Sequence, residues 1–220
     1  SWPDGQDYPG PQLSTGISSY AINCMRKMGF EDLPELRLAQ GLPQPGEAEK
    51  ALDYIRTRPL DTQPWGAGSH AMRMARWLLE WHLDGLLSLD PCIEALRYFY
   101  EKQDPETGLW GAADVPRQHR INGTFKLFRF LCDGLDLPVP HADRIVDQVL
   151  EELARPDYVQ SIGGCDDWDS WLVLGHARRW TDHRAEDVRR AAIEGIRRVS
   201  EFQKPDGGMS YWADRCQVNW

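Results

Sequence analysis

The amino-acid sequence predicts an all-α protein of repeated αα-hairpins that form a full or partial α/α toroid. Apolar residues recur at spacings of three and four over most of the chain, a pattern typical of amphipathic helices. Turns with Gly, or with Gly and Trp, separate these stretches and recur roughly every 45 to 50 residues. These turns lie at Trp65, Trp110, Gly163 and Gly207. A single hairpin cannot bury its apolar faces alone, so neighbours must pack side by side, and the Gly-Trp turns favour a ring over an open solenoid.

Local signals set the helix boundaries. Residues 1–13 are rich in Pro and Gly and predict an extended lead-in, followed by a single toroid domain over residues 14–220. Pro59 ends one helix, and Asp90-Pro91 begins another, because Pro is favoured at the first helical position. Helices are predicted from Ser14 to Gly29, Glu47 to Arg56, Ser69 to about Asp84, Asp90 to about Lys102, Asn122 to about Cys132, about His141 to Ala154, the acidic stretch at 165–170 onward, and about Ala185 to Phe202.

Composition limits the possible partners and compartment. The chain has 220 residues, enough for one sizeable core, and no apolar run approaches the length of a membrane span. A net charge of -9 without an evident basic face argues against nucleic acid as a partner. Five widely separated cysteines without a CxxC pair predict free thiols in a reducing compartment, and therefore a cytoplasmic protein.

The densest chemical feature is the stretch Gly163–Ser170, which holds three carboxylates within four residues. Asp166 or Asp167 is a good helix N-cap, and acidic residues early in a helix favour its dipole. Alternatively, Asp169 is a carboxylic acid in an aromatic cavity between Trp168 and Trp171. Burial there raises the pKa of this carboxyl and keeps it protonated for acid chemistry.

A toroid gathers the N-termini of its inner helices at one rim of the cavity. That geometry collects Ser69, His70, Asn122 and Lys126 near the acidic stretch, a mixture of side chains typical of a site. His70 either extends its helix cap or exchanges protons, and Asn122 either caps its helix or contacts a ligand. Lys126 is expected to point to water.

The turns carry a family resemblance. Tyr98-Phe99, Gln103 and Gly108-Leu109-Trp110 resemble the repeat of triterpene cyclases, in which an aromatic or aliphatic pair is followed by Gln and then by Gly-x-Trp. Residues 199–209 match this repeat less closely, with Met209 at the Trp position. The chain thus resembles the terpenoid cyclase and protein prenyltransferase superfamily of α/α toroids over about residues 47–212. Sugar-processing α/α toroids, such as the unsaturated-uronyl hydrolases, use similar turns.

The acidic stretch also resembles a cyclase motif. Class II terpenoid cyclases carry Asp-x-Asp-Asp at the start of an inner helix, and residues 167–170 match three of its four positions, with Ser170 in place of the last Asp. The resemblance implies that Asp169 is the general acid and Asp167 its partner in an acid-initiated cyclisation or isomerisation of an isoprenoid. His70 is the third candidate catalytic residue. Candidate substrate-binding residues are Asp166, Trp168, Trp171, Asn122, Trp65 and Trp110.

Other functions remain open. The same scaffold suits a carbohydrate-active hydrolase or lyase, with Asp167 or Asp169 and His70 as acid and base. A cavity wall of Trp, Phe, Leu and Met favours the cyclase, whereas inward Arg, His and Asn favour an oligosaccharide substrate. A zinc site of Cys165, Asp167 and His70 is a weaker alternative, and we predict no metal and no cofactor. A non-catalytic binding scaffold is the last alternative.

The predicted ring has few helices. The sequence supplies four inner and four outer candidates, whereas related toroids often use more pairs. We therefore expect that a partner chain or a further C-terminal region completes the ring.

Overall fold

The regular structure of the protein is helical. A computed structural model describes residues 43, 46–158, 164–210 and 212. These residues form seven α-helices and one short 3₁₀-helix, and no strand occurs among them. The prediction of an all-α protein is therefore confirmed for this part of the chain, while closure into a toroid stays a prediction. The predicted lead-in 1–13 and the predicted helix from Ser14 to Gly29 lie outside the described residues.

The helices are labelled in chain order. They are α1 (Ala48–Arg56), α2 (Pro64–Leu83), α3 (Asp90–Glu101), α4 (Arg117–Leu131), α5 (Ala142–Leu153), α6 (Gly164–Ala177) and α7 (Ala185–Val199), followed by the 3₁₀-helix Ser200–Phe202. Four helices begin within one or two residues of their predicted starts: α1, α3, α5 and α7. Of these, α1, α5 and α7 begin without a side-chain cap hydrogen bond, so helical periodicity indicates their starts.

The chain divides into two compact units. The first comprises the chain up to Arg58 together with Ser69–Glu101, and the second comprises Pro59–Gly68 together with the chain from Lys102. Helix α2 begins in the second unit and continues in the first. The single domain predicted over residues 14–220 stays a prediction.

In the first unit, α1 packs against α3. Arg56 on α1 forms an ion pair with Glu94 on α3, at 2.7 Å between Nη2 and Oε2, and its carbonyl accepts a hydrogen bond from the Tyr98 hydroxyl. Apolar side chains of this unit are fully or almost fully buried, and they include Leu52, Ile55, Met74, Leu78, Trp81, Cys92 and Phe99. Burial of such side chains contributes about 2 kcal/mol each.

The second unit is built from two antiparallel hairpins. In the first hairpin, Arg117 at the start of α4 forms an ion pair with Glu151 near the end of α5. In the second hairpin, Trp171 in α6 lies against Gly195 in α7, where an added Cβ would stand 2.2 Å from the indole. In each hairpin, the two helices therefore pack against each other in opposite directions.

The two hairpins lie side by side in the same orientation. Along α4, Gln118, Lys126 and Phe128 contact Asp166, Asp169 and His176 of α6 in the same order, so these two helices run parallel. Asp147 of α5 bonds both His183 and Arg184 at the start of α7. The second unit thus has two layers, with α4 and α6 in one and α5 and α7 in the other.

Two turns share one hydrogen-bonding pattern. Gln103 forms an isolated bridge with Trp110, and Gln203 forms one with Met209. The side-chain amide of each glutamine donates to the carbonyl of a glycine with positive φ, Gly108 or Gly207. These are the turns that carry the family resemblance, and their common geometry supports the proposed repeat.

Two predicted helix starts are wrong. The segment 63–68 was expected to be a turn capped by Ser69, but α2 begins at Pro64 and Ser69 lies inside the helix. Helix α4 begins at Arg117, so Asn122 lies in its interior and does not cap it. Pro favours the first helical position, which explains the early start of α2. The Asn-Gly-Thr sequence at 122–124 resembles a cap, but tertiary packing overrides that local signal.

Gly123 lets α4 approach the start of α2. A Cβ at this position would stand 2.6 Å from the carbonyl carbon and 2.7 Å from the carbonyl oxygen of Pro64. Backbone cannot yield as a flexible side chain can. The glycine therefore fixes how closely the first turn of α2 lies to the middle of α4.

Gly123→Ala is expected to destabilise the protein by about 1–3 kcal/mol, because the added methyl forces the two backbones apart. Urea unfolding followed by circular dichroism measures the change. Gly175→Ala is the matched control, since an added Cβ in α6 meets nothing within 4 Å. That variant should gain about 0.5–1 kcal/mol from helix propensity. Equal stability changes in the two variants would contradict the close approach of α4.

Candidate functional site

A stripe of polar side chains lines the contact between α4 and α6. Gln118, Asn122 and Lys126 are spaced by four residues, so they lie on one face of α4. Asp166 and Asp169 are three residues apart and lie on the facing side of α6. We call these five residues together with Ser170 the polar seam. Both helices of the seam belong to the second unit.

Asp169 is the most buried carboxyl of the seam. The residue is 2 % exposed, and its Oδ2 lies 3.0 Å from the Lys126 ammonium nitrogen. Asp169 is the sixth residue of α6, so it neither caps the helix nor faces solvent. Its burial is one of the two predicted alternatives, but its carboxyl meets Lys126 and Trp168 is exposed, so the aromatic cavity stays a prediction. The expectation that Lys126 points to water is wrong, because the carboxylate holds its ammonium in the seam.

Burial raises the pKa of Asp169 to about 7, although the Lys126 ammonium acts in the opposite direction. Asp166 raises this pKa further, and Arg129 lowers it. The carboxyl therefore changes its protonation state near neutral pH. A group with such a pKa can donate or accept a proton under ordinary conditions.

Asp166 and Asn122 form the second contact of the seam. The amide nitrogen of Asn122 donates to Asp166 Oδ1 at 2.6 Å. Gln118 donates from Nε2 to the Asn122 side-chain oxygen, the Asp166 carbonyl and Ser170 Oγ. Its own Oε1 is buried without a hydrogen-bond partner among the described residues. The seam is thus closely bonded, with one acceptor left over.

Asp167 faces a different neighbour. It lies about 100° around α6 from Asp166 and contacts α7 and its own helix. Trp171 Nε1 donates to Asp167 Oδ1 at 3.2 Å, and Arg198 Nη2 lies 3.9 Å from the same oxygen. Burial raises the pKa of Asp167, and Arg198 opposes that rise. Asp167 and Asp169 are thus held by separate sets of partners.

The predicted tryptophans occupy different environments. Trp168 is 62 % exposed, whereas Trp110 is fully buried and packs edge-on against Phe128. Trp65 lies in the first turn of α2, with its ring centroid 5.9 Å from that of His119 on α4. Trp65 and Trp171 are both half-buried. Of the four predicted tryptophans, Trp168 therefore has the side chain most accessible to a substrate, and Trp110 the least.

His70 belongs to the first unit. Burial, with Arg73 and Arg58 nearby, lowers the pKa of its imidazole to about 4. Its Nδ1 lies 3.5 Å from the Tyr54 hydroxyl. His70 is therefore neutral at physiological pH, and its catalytic role stays a prediction.

Two contributors to the site were missed in the sequence. Gln118 belongs to the seam and donates to Ser170 of the predicted acidic stretch, and Arg198 reaches Asp167 from α7. The spacing of residues 118, 122 and 126 is a detectable signal for the face of α4. Arg198 is one of five arginines between 184 and 198, and nothing in the sequence distinguishes it.

No group of three or more His, Cys, Asp and Glu side chains that could hold a metal ion occurs within 46–158 and 164–210. Across the same ranges, no helix has the length and apolar character needed to cross a membrane.

Comparison of the chain with family models, curated proteins and solved structures finds no match. The superfamily resemblance therefore stays a proposal. The function has to be inferred from the polar seam itself.

Asp169 makes stability depend on pH in a definite direction. The pKa of its carboxyl is 3.8 as a reference and about 7 in the folded protein, so the folded state binds the proton more tightly between these values. The free energy of unfolding should therefore fall as pH rises from 4 to 7, by up to about 1 kcal/mol per pH unit from this group.

Asp169→Asn removes the titrating group. The free energy of unfolding of this variant should therefore fall less than that of the wild type as pH rises from 4 to 7. Urea unfolding at several pH values measures the difference. The exposed Asp114→Asn is the control and should follow the wild type at every pH. An Asp169→Asn curve parallel to that of the wild type would contradict the raised pKa.

Proposed function

We propose that this protein is a carbohydrate-active enzyme, a hydrolase or lyase, in which Asp169 transfers the proton. The observation that carries the proposal is the buried ion pair of Asp169 with Lys126, at 3.0 Å. It combines a carboxyl that titrates near pH 7 with a cation that can bind oxygen atoms of a substrate.

The charges around Asp169 favour a substrate rich in oxygen. Lys126 and Arg129 are its positively charged neighbours, and Asn122 adds an amide through Asp166. Ammonium, guanidinium and amide groups hydrogen-bond well to hydroxyl and carboxylate oxygens. A carbocation formed beside the same two cations would be repelled by them. Inward polar groups are the feature that separates the carbohydrate function from the cyclase function.

The chemistry follows from the pKa of Asp169. In a hydrolase, the protonated carboxyl donates to the glycosidic oxygen as the bond to the sugar carbon breaks, and a water molecule adds to that carbon and returns a proton to the carboxylate. In a lyase, the carboxylate accepts a proton from carbon while Lys126 stabilises the negative charge that develops on the substrate. The carbon–carbon double bond then forms as the glycosidic bond breaks, and the proton passes to the leaving oxygen. Exposed Trp168 on the same helix offers a ring face to the substrate.

Terpenoid cyclisation is the second candidate. The observation that favours it is the burial of Asp169 two residues after Asp167, close to the start of α6, as the cyclase motif implies. In that function, Asp169 protonates an alkene or epoxide of an isoprenoid. Such a reaction needs a stronger acid than a carboxyl with a pKa of about 7, which is why we place it second.

Asp169→Asn should reduce kcat on the active substrate by at least about 100-fold while the fold is retained, because the proton is no longer supplied. Oligosaccharide panels assayed for reducing ends and for unsaturated products identify hydrolysis or elimination, and isoprenoid panels assay cyclisation. Asp114→Asn is the control and should keep full activity. Activity on an oligosaccharide that survives in Asp169→Asn would contradict the role of Asp169, and turnover of isoprenoids alone would favour the second candidate.

Lys126→Met should move the pH profile of the same activity. The ammonium lowers the pKa of Asp169, so its loss should shift the limb near pH 7 to higher pH. A purely structural ion pair would lower activity at all pH values without moving the limb. Measurement of kcat/KM between pH 5 and 9 distinguishes these two results.

A further inference from the structure

Arg198 approaches α6 from α7, on the side that carries Asp167 and Trp171. It lies in the last turn of α7, one turn beyond Gly195, whose lack of a side chain lets the indole of Trp171 approach α7. The side chain of Arg198 is 13 % exposed. The side chain is therefore largely buried, and its exposed part does not include Nε or Nη2.

One edge of this guanidinium lacks hydrogen bonds. Nε and Nη2 are both buried and have no hydrogen-bond partner among the described residues. These two nitrogens form the side-on edge of the guanidinium, which binds both oxygens of a carboxylate or phosphate at once. A buried donor without a partner costs about 1–3 kcal/mol, more when it is charged, so such an edge calls for a ligand.

Asp167 does not satisfy this edge. Its Oδ1 lies 3.9 Å from Nη2, beyond the roughly 3.2 Å of an N–H···O hydrogen bond, and it already accepts from Trp171 Nε1. The contact is therefore an electrostatic one, and it leaves the paired donors of Arg198 available.

Aromatic rings fix the position of the guanidinium. Its central carbon lies 5.1 Å from the ring centroid of Tyr158 and 6.0 Å from that of Trp171. Cation–π contacts of this kind hold an arginine in place without using its N–H donors. The donors are thus preorganised for an incoming group.

We infer that Arg198, framed by Tyr158 and Trp171, binds an oxyanion of a ligand, a carboxylate or a phosphate, through Nε and Nη2. This site lies between α6 and α7, apart from the pair of Asp169 and Lys126. It does not rest on the proposed function, because the inference concerns binding and needs no turnover.

Isothermal titration calorimetry of the full chain with inorganic phosphate and, separately, with glucuronate tests this site. The wild type should bind at least one of these probes. Arg198→Lys keeps the charge but loses the paired donors, so it should bind at least 10-fold more weakly, and Arg198→Met should show no binding. Arg197→Lys is the matched control, because Arg197 is exposed and lies next to Arg198 on the same helix.

The two probes separate the two oxyanions. Binding of glucuronate alone indicates a carboxylate ligand, and binding of phosphate alone indicates a phosphorylated one. The inference is overturned if the wild type binds neither probe, if Arg198→Lys binds as tightly as the wild type, or if Arg197→Lys weakens binding equally. Circular dichroism checks each fold, and Arg198→Lys decides the outcome if Arg198→Met does not fold.

Discussion

The parallel contact of α4 and α6 through the polar seam is the constraint on which the second unit depends. Polar side chains in a buried contact must bond each other, because each unpaired group costs about 1–3 kcal/mol. Gln118, Asn122 and Lys126 meet this demand with Asp166, Asp169 and Ser170, except at the buried Gln118 Oε1. Since the partners match at only one relative position of the two helices, the seam fixes their register. Helices α5 and α7, the second helix of each hairpin, form the other layer and pack against α4 and α6.

Helix α6 carries the carboxyls of both proposed activities, proton transfer and oxyanion binding. Asp169 and Asp167 lie two residues apart, yet one is held by Lys126 and the other by Trp171 and Arg198. Burial raises the pKa of both carboxyls, and a different cation opposes the rise at each. One short stretch of α6 thus presents two carboxyls to separate environments. This arrangement permits proton transfer on one side of the helix and oxyanion binding on the other.

Features that depend on residues close in the sequence, such as helix starts, could be predicted from the sequence. Helices α1, α3, α5 and α7 begin where helical periodicity and the Asp90-Pro91 signal indicate, and Asp169 is buried, as one of the two alternatives for the acidic stretch predicted. The failures come from contacts between distant residues. Lys126 and Asp169 are 43 positions apart, so no local pattern shows their pairing. In the sequence, glycine at position 123 disfavours a helix. In the structure, its missing side chain leaves room for backbone atoms of Pro64. Helical periodicity predicts which residues share one face of a helix. It does not identify the helix that packs against that face.

The carboxyl of Asp169 should therefore titrate far from its ordinary value, and this can be observed directly. Carbon-13 NMR of the aspartate carboxyl groups, followed from pH 3 to 9 and assigned with Asp169→Asn, gives the titration midpoint of this residue. A midpoint near 7 is predicted from its burial beside Lys126. A midpoint near 4 would contradict it, because Asp169 would then be an ordinary carboxylate and the ion pair only a structural clamp between α4 and α6.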